Sequence, residues 1–404
     1  LEGSVVKHLL GVIFVLAATA LGAAPRLAMP EPAGCTDCEE DAPALRVLGT
    51  DAMVWRILPR MLEVWDAAGG RALVQARDGT GVRFQAGDTS ELDVVARPAG
   101  AAEALAALRD GAADIAVTAR RARPAELTAG MVETVLAFDA LSVRVGRGVG
   151  LDTLTMAELT DVLSGRVGAW ASLSGRDLRV LPVLRRGGTD QRATLLTGLG
   201  LSDAALTTLS IDNDAGIAAA VETFPGAIGL ASVASPGGDV VALDLGCGAP
   251  TRPSTDEIAS GRYPLSRPLY LYWSEARGAA LAAHLTTVSA QARLADLGLV
   301  PVVPLLRKGV SSNPKLLGLS RAGPILRVDT AGDLTHASQV ALAHLQSALD
   351  AGRLGRVVLV GRGRDAASRV AQVAGALDRP AETLTETAEA CLDQVQGVEL
   401  WAAP

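Results

Sequence analysis

The feature that most restricts the fold of this chain is a repeated order of short apolar run, turn and helical spacing, beginning at Leu45 and continuing past Leu230. Residues 45–48 form a strand-length apolar run, and Gly49, Thr50 and Asp51 form a turn. Val54, Ile57, Leu58, Met61, Leu62 and Trp65 then recur at helical spacing. The same order predicts strands over 92–96, 113–117, 141–145, 178–184 and 226–230. It predicts helices over 101–109, over 156–163 behind a Thr155 cap, and from Gln191 to Leu196. Strands alternating with helices over this length build parallel sheets, with ligand-facing turns at the strand carboxyl ends. The class is α/β.

At 404 residues the chain has material for two or three compact units. Aromatics are only 3 %, so Ala, Val, Leu and Gly must fill the interior, which suits closely packed α/β layers. The net charge of −7 is spread over interspersed acids and bases. No basic stripe with interleaved aromatics occurs, which excludes nucleic acid as a partner. A net-acidic protein also steers anions poorly over distance, so any bound anion must be captured by local geometry.

The ends of the chain carry separate signals. In residues 1–24, Lys7 and His8 precede an apolar run from Leu9 to Leu21, followed by small residues. That pattern reads as a secretory signal, with an uncleaved anchor as the alternative. It places the protein in the periplasm. Residues 25–43 form an irregular, Pro- and acid-rich lead-in with Cys35 and Cys38 as a C-x-x-C. In an exported chain this pair reads as a local disulfide or as partners for Cys247 or Cys391; a redox dithiol and half a zinc site are the functional alternatives. Four cysteines allow three pairings, and spacing selects none of them. Pro301, Pro304, Pro314 and Pro324 punctuate residues 301–324, expected to be a linker before a small α/β unit at 325–404.

Five ordered motifs carry a family resemblance. Ala113-Asp114-Ile115-Ala116 comes with Arg120 and Glu126, and Phe138-Asp139-Ala140-Leu141 leads to Leu163-Ser164-Gly165 and Trp170. Pro225-Gly226-Ala227-Ile228-Gly229 and Tyr263-Pro264-Leu265-Ser266-Arg267-Pro268-Leu269-Tyr270 follow, and Arg185 to Asp190 supplies the fifth. Together these resemble the PstS-like phosphate-binding proteins of ABC transporters. The resemblance implies a type II periplasmic-binding-protein fold of two lobes. Lobe I would be residues 44–136 completed by 262–300, and lobe II residues 137–261. A ligand would close between them, and an ABC permease would be the partner. In the tail, residues 357–361, Ser368-Arg369-Val370-Ala371 and Val398-Glu399-Leu400-Trp401 resemble a shortened OmpA-like domain. That likeness implies peptidoglycan as a partner, through Asp365 and Arg369. The loop between those two is short, and Val395-Gln396-Gly397 replaces the family's Asn-Arg-Arg.

In the PstS-like family three strand-to-helix turns supply the anion donors: backbone N–H groups at helix N-termini, hydroxyls and one Arg. Here the first turn offers Gly49, Thr50 and Asp51; Asp51 would either repel a bound dianion or serve as a plain helix N-cap. The second, Pro98-Ala99-Gly100-Ala101, keeps backbone donors and has lost the hydroxyl. After the next strand Thr118-Ala119-Arg120 stands where the family has Ser-Arg or Ser-Asp. The third helix start, Arg185-Arg186-Gly187-Gly188-Thr189-Asp190, is the best kept; Gly187 and Gly188 permit close backbone approach and Thr189 adds a hydroxyl. Thr50, Asp51, Gly100, Ala101, Thr118, Arg120, Arg185, Gly187, Gly188 and Thr189 are therefore the expected ligand site.

Enzyme signatures are missing. His8, His284, His336 and His344 form no metal-binding pair, and no G-x-S-x-G elbow occurs. Gly361-Arg362-Gly363-Arg364-Asp365-Ala366 mimics a dinucleotide fingerprint within a unit too small for a doubly wound sheet. No cofactor or metal is expected. Two classes remain: a non-enzymatic binding protein for a small anion, phosphate or another oxyanion or carboxylate, and an envelope protein that keeps the fold without a ligand.

Overall fold

The computed structural model describes residues 44–65, 73–86, 92–186, 189–246, 250–309, 311–329, 331–386 and 397–404. The signal segment, the lead-in, all four cysteines, Gly187 and Gly188 lie outside the described residues. Chain contacts separate Leu1–Asp41 from a second unit, Ala42–Pro404, which is the one described below.

Strand Leu45–Gly49 lies between parallel neighbours Asp93–Pro98 and Ile115–Thr118, as the alternating pattern requires. Its alternate residues Val47 and Gly49 are buried. Helix formation follows at once, with the Thr50 hydroxyl accepting from the Met53 N–H at 3.2 Å. Thr50, and not Asp51, is thus the residue whose side chain caps this helix. The turn Met53–Ile57 widens to π spacing just before Pro59, which has no N–H to give to an α turn. Val54, Ile57, Leu58, Met61 and Leu62 point into the core, the face their spacing predicts. An antiparallel hairpin, Leu73–Arg77 with Val82–Ala86, extends this lobe outward.

The element that joins the lobes is the strand Met131–Val145, 15 residues long. Residues 131–140 pair antiparallel with Ser266–Ser274 on the lobe I side. Residues 141–145 change partner to Ala227–Ser232, flanked in turn by Leu181–Arg185 and Leu209–Ile211. At the crossover Asp139, fully buried, accepts from Arg267 at 2.9 and 3.1 Å and from the Ser232 hydroxyl at 2.7 Å. Removing any one partner would leave a buried charge or donor unpaired, so the Phe138–Leu141 and Tyr263–Tyr270 motifs meet here for structural reasons. Gly226 has a similar local cause: a Cβ there would lie 1.9 Å from the Arg179 carbonyl. That close approach lets Trp170 Nε1 donate to the Gly226 carbonyl at 2.9 Å inside the lobe II core.

Residues 301–324 are woven into the sheets and do not span a gap. Val300–Pro301 pairs with Met131–Val145, while Leu306–Arg307 and Ser320–Ala322 belong to a five-stranded sheet with Val398–Ala402, Val357–Arg362 and Glu382–Glu386. Proline at strand ends and edges breaks the sequence pattern without breaking the packing; Val302, Val303, Leu316 and Ala322 are buried. Helix His336–Asp350 packs toward lobe I. Leu342, Leu345 and Leu400 share one core with Leu105, Leu108 and Tyr272.

Candidate functional site

The strands Leu45–Gly49, Asp93–Pro98 and Leu181–Arg185 all end at one crevice between the lobes, of about 220 Å³. Thr50, Asp51, Gly100, Arg185 and Thr189 line it, joined by Glu103, Asp190, Gln191, Asp212, Asp214 and Arg267. Carboxyl ends of parallel strands are where such folds place ligands. Five carboxylates face two guanidiniums there, so the lining is acidic.

Each lobe sends a carboxylate into the other's anion donors. Asp51, from lobe I, forms an ion pair with Arg185 Nη1 and accepts from the Asp214 N–H at 3.3 Å. Asp214 opens helix Asp214–Thr223, so Asp51 sits where a bound anion would meet a helix N-terminus. From lobe II, Asp190 reaches back to accept from the Ala119 N–H at 3.0 Å and from the Ala101 N–H. Ala101 is the first residue of helix Ala101–Arg109. Burial raises the pKa of Asp190 above the usual carboxylate range, outweighing those two bonds and the Arg120 and Arg267 charges. Asp214 completes the group, with its carboxylate 3.3 Å from Arg185 Nη1 and accepting from the Ser235 hydroxyl at 3.0 Å.

The other expected residues are engaged elsewhere. The Thr118 hydroxyl, fully buried, donates to the Arg120 carbonyl at 2.6 Å. Arg120 forms a two-pronged pair with Glu126 at 2.7 Å and comes only within 3.8 Å of Asp190. Thr189 caps helix Asp190–Leu199 by accepting from the Arg192 N–H, and its hydroxyl donates to the Arg186 carbonyl at 3.0 Å. Two donors are left over. Arg185 Nε and Arg267 Nη1 are buried with no hydrogen-bond partner among the described residues. Away from the cleft, Arg369 Nη2 donates to the Arg362 carbonyl at 2.8 Å, and Asp365 adopts a left-handed φ of 58°. Among the described residues no three His, Cys, Asp or Glu side chains gather as a metal site would require.

Sequence reasoning did not reach Asp214 or the role of Asp190. Asp190 stood inside the best-kept motif, and its carboxylate after a Gly-Gly-Thr turn was the available signal. Asp214 follows an exposed strand, Leu209–Ile211, too short and too solvated to show periodicity.

Fold and cleft define a two-lobed binding-protein architecture. The chain belongs to the PBP superfamily, whose domain matches residues 76–290. Among solved structures it is similar to a protein from Clostridium perfringens assigned as a phosphate ABC transporter substrate-binding protein and solved with bound phosphate. That match has 18 % identity and a TM-score of 0.53, and covers 64 % of this chain and 99 % of the other. It is also similar to an ABC-type phosphate transport receptor from Vibrio cholerae, at 20 % identity and a TM-score of 0.47, over 63 % of this chain and 98 % of that one. The first likeness shows the shared fold.

Proposed function

We propose that this is an exported, non-enzymatic solute-binding protein of the PstS-like class, which takes a small oxyanion or carboxylate between its lobes by displacing Asp51 from Arg185. One observation carries the reading: Arg185, the start of helix Asp214–Thr223 and the start of helix Ala101–Arg109 converge on one interlobe crevice. The two buried guanidinium nitrogens without partners give an incoming anion bonds that the carboxylates leave unused. The proteins it resembles in fold are named for phosphate binding and transport, which supports an anion as the ligand and an ABC permease as the partner. Location in the periplasm rests on the signal pattern of residues 1–24. The OmpA-like reading of residues 325–404 is supported by the order of strand Val357–Arg362, helix Ala366–Gly375 and strand Val398–Ala402. Peptidoglycan binding has less support, since the Arg369 guanidinium is held on the Arg362 carbonyl.

A second reading is favoured by the reciprocal placement of Asp51 and Asp190: an envelope protein that keeps the lobes shut with its own carboxylates and takes no ligand. Thermal unfolding against a panel of phosphate, sulfate, arsenate, acetate and citrate separates the two. A ligand at 100 times its dissociation constant adds about 2.7 kcal/mol. The binding reading expects at least one anion to raise the melting temperature in the millimolar range; no shift with any of them leaves the ligand-free reading.

A further inference from the structure

A larger crevice, about 470 Å³, opens where the crossing strands meet residues 324–338, on the other side of Arg267 from the cleft. Its volume is in the range of small-molecule sites. Phe138, Tyr263 and Tyr270 from the crossing region and Ile325 from the C-terminal unit supply an apolar bed. Three of the lining residues are arginines, Arg262, Arg267 and Arg327, and none is Asp or Glu.

The three cations are not equivalent. Arg262 is paired with Glu257 and Arg267 with Asp139, so both charges are already balanced from behind the wall. Arg327 faces no carboxylate among the described residues; its Nη2 donates only to the Gly261 carbonyl, at 3.2 Å. Gly261 has a φ of +71°, and a Cβ there would lie 2.5 Å from that same nitrogen, so the glycine lets the guanidinium approach the backbone closely. The backbone N–H of Arg327 donates to the Ser338 hydroxyl at 2.6 Å, which fixes the base of the side chain. Arg327 stays open to water at the mouth, where an incoming anion can reach its guanidinium.

We propose that this seam crevice is a second ligand site, for a small organic anion whose single charged head meets Arg327 and whose apolar body rests between Phe138, Tyr270 and Ile325. This assignment stands independently of the interlobe cleft, which lacks such an apolar bed. The ligand class is an aryl or branched-alkyl carboxylate or phosphate monoester. A bare inorganic oxyanion would use the charge and waste the bed.

Titration calorimetry on the full-length protein with phenyl phosphate and with inorganic phosphate tests the assignment. Phenyl phosphate is expected to bind at one site, at least about tenfold more tightly than inorganic phosphate, and equimolar inorganic phosphate should not displace it. Arg327→Gln should weaken phenyl phosphate by about tenfold or more, the scale of a charge-assisted bond. Ala337→Leu, which fills the crevice from helix His336–Asp350, should weaken it without altering the head-group contact. Absence of binding at about 10 mM, displacement by equimolar inorganic phosphate, or unchanged affinity in both variants would each overturn the proposal.

Discussion

Asp51 and Asp190 reach across the cleft from opposite walls, but their costs differ. Asp51 meets a full positive charge on Arg185, whereas Asp190 meets two backbone N–H groups and is buried with only distant cations. Its raised pKa means that the folded protein holds the Asp190 proton more tightly than the unfolded chain does. The stability it contributes is full below the ordinary carboxylate pKa of about 4 and is lost as pH rises through the raised value. Asp190→Asn keeps an acceptor for Ala119 and removes the charge. The variant should therefore be at least as stable as the parent at pH 7, and the difference should shrink toward pH 4 in chemical denaturation. A loss of more than about 1 kcal/mol at pH 7 would instead mean that the charge itself holds the lobes together. From sequence, Asp51 was readable as an unwanted charge near an anion. Its partner was not, because ion pairs between distant segments leave no local pattern.

At the scale of elements, local chemistry was the most legible. Helix Met156–Leu163 begins behind Thr155, whose hydroxyl accepts from the Glu158 N–H while Glu158 closes the capping box. Only the last part of the crossing strand Met131–Val145 was predicted, because its residues from 139 onward are buried on both faces and show no alternation. Prolines and glycines made residues 301–324 read as a linker, whereas the strands Val300–Pro301, Leu306–Arg307 and Ser320–Ala322 at and within that stretch are too short to show periodicity. The turn Ala119–Glu126 also carries a titratable element. The Arg120 hydrogen bonds, then those from Arg123, hold Glu126 well below the usual carboxylate range. A depressed pKa gives stability that is present above the ordinary glutamate pKa of about 4.3 and lost as pH falls. Glu126→Gln should cost about 1 kcal/mol at pH 7, a modest figure because solvent screens part of the pair. That cost should fade in urea unfolding below about pH 4. A cost that persists undiminished at pH 3 would assign it to packing and not to charge.

For the whole molecule, the order of motifs was enough to indicate a two-lobed fold. It could not reveal that residues after 325 share a core with those of lobe I, since Leu345 and Leu400 meet Leu105 and Tyr272 only in three dimensions. Nor could it reveal that Asp51 and Asp190 reach across the cleft to Arg185 and to the Ala119 N–H, contacts that we propose hold the lobes shut. That closure is the central claim, and calorimetric titration of inorganic phosphate into the parent and into Asp51→Thr tests it most directly. The exchange removes the carboxylate from Arg185 and from the Asp214 N–H and adds a hydroxyl. A gain in phosphate affinity of at least about tenfold is expected, because a charged hydrogen bond is worth about 1.5–3 kcal/mol. Micromolar phosphate binding by the parent protein, or no gain in the variant, would contradict the account.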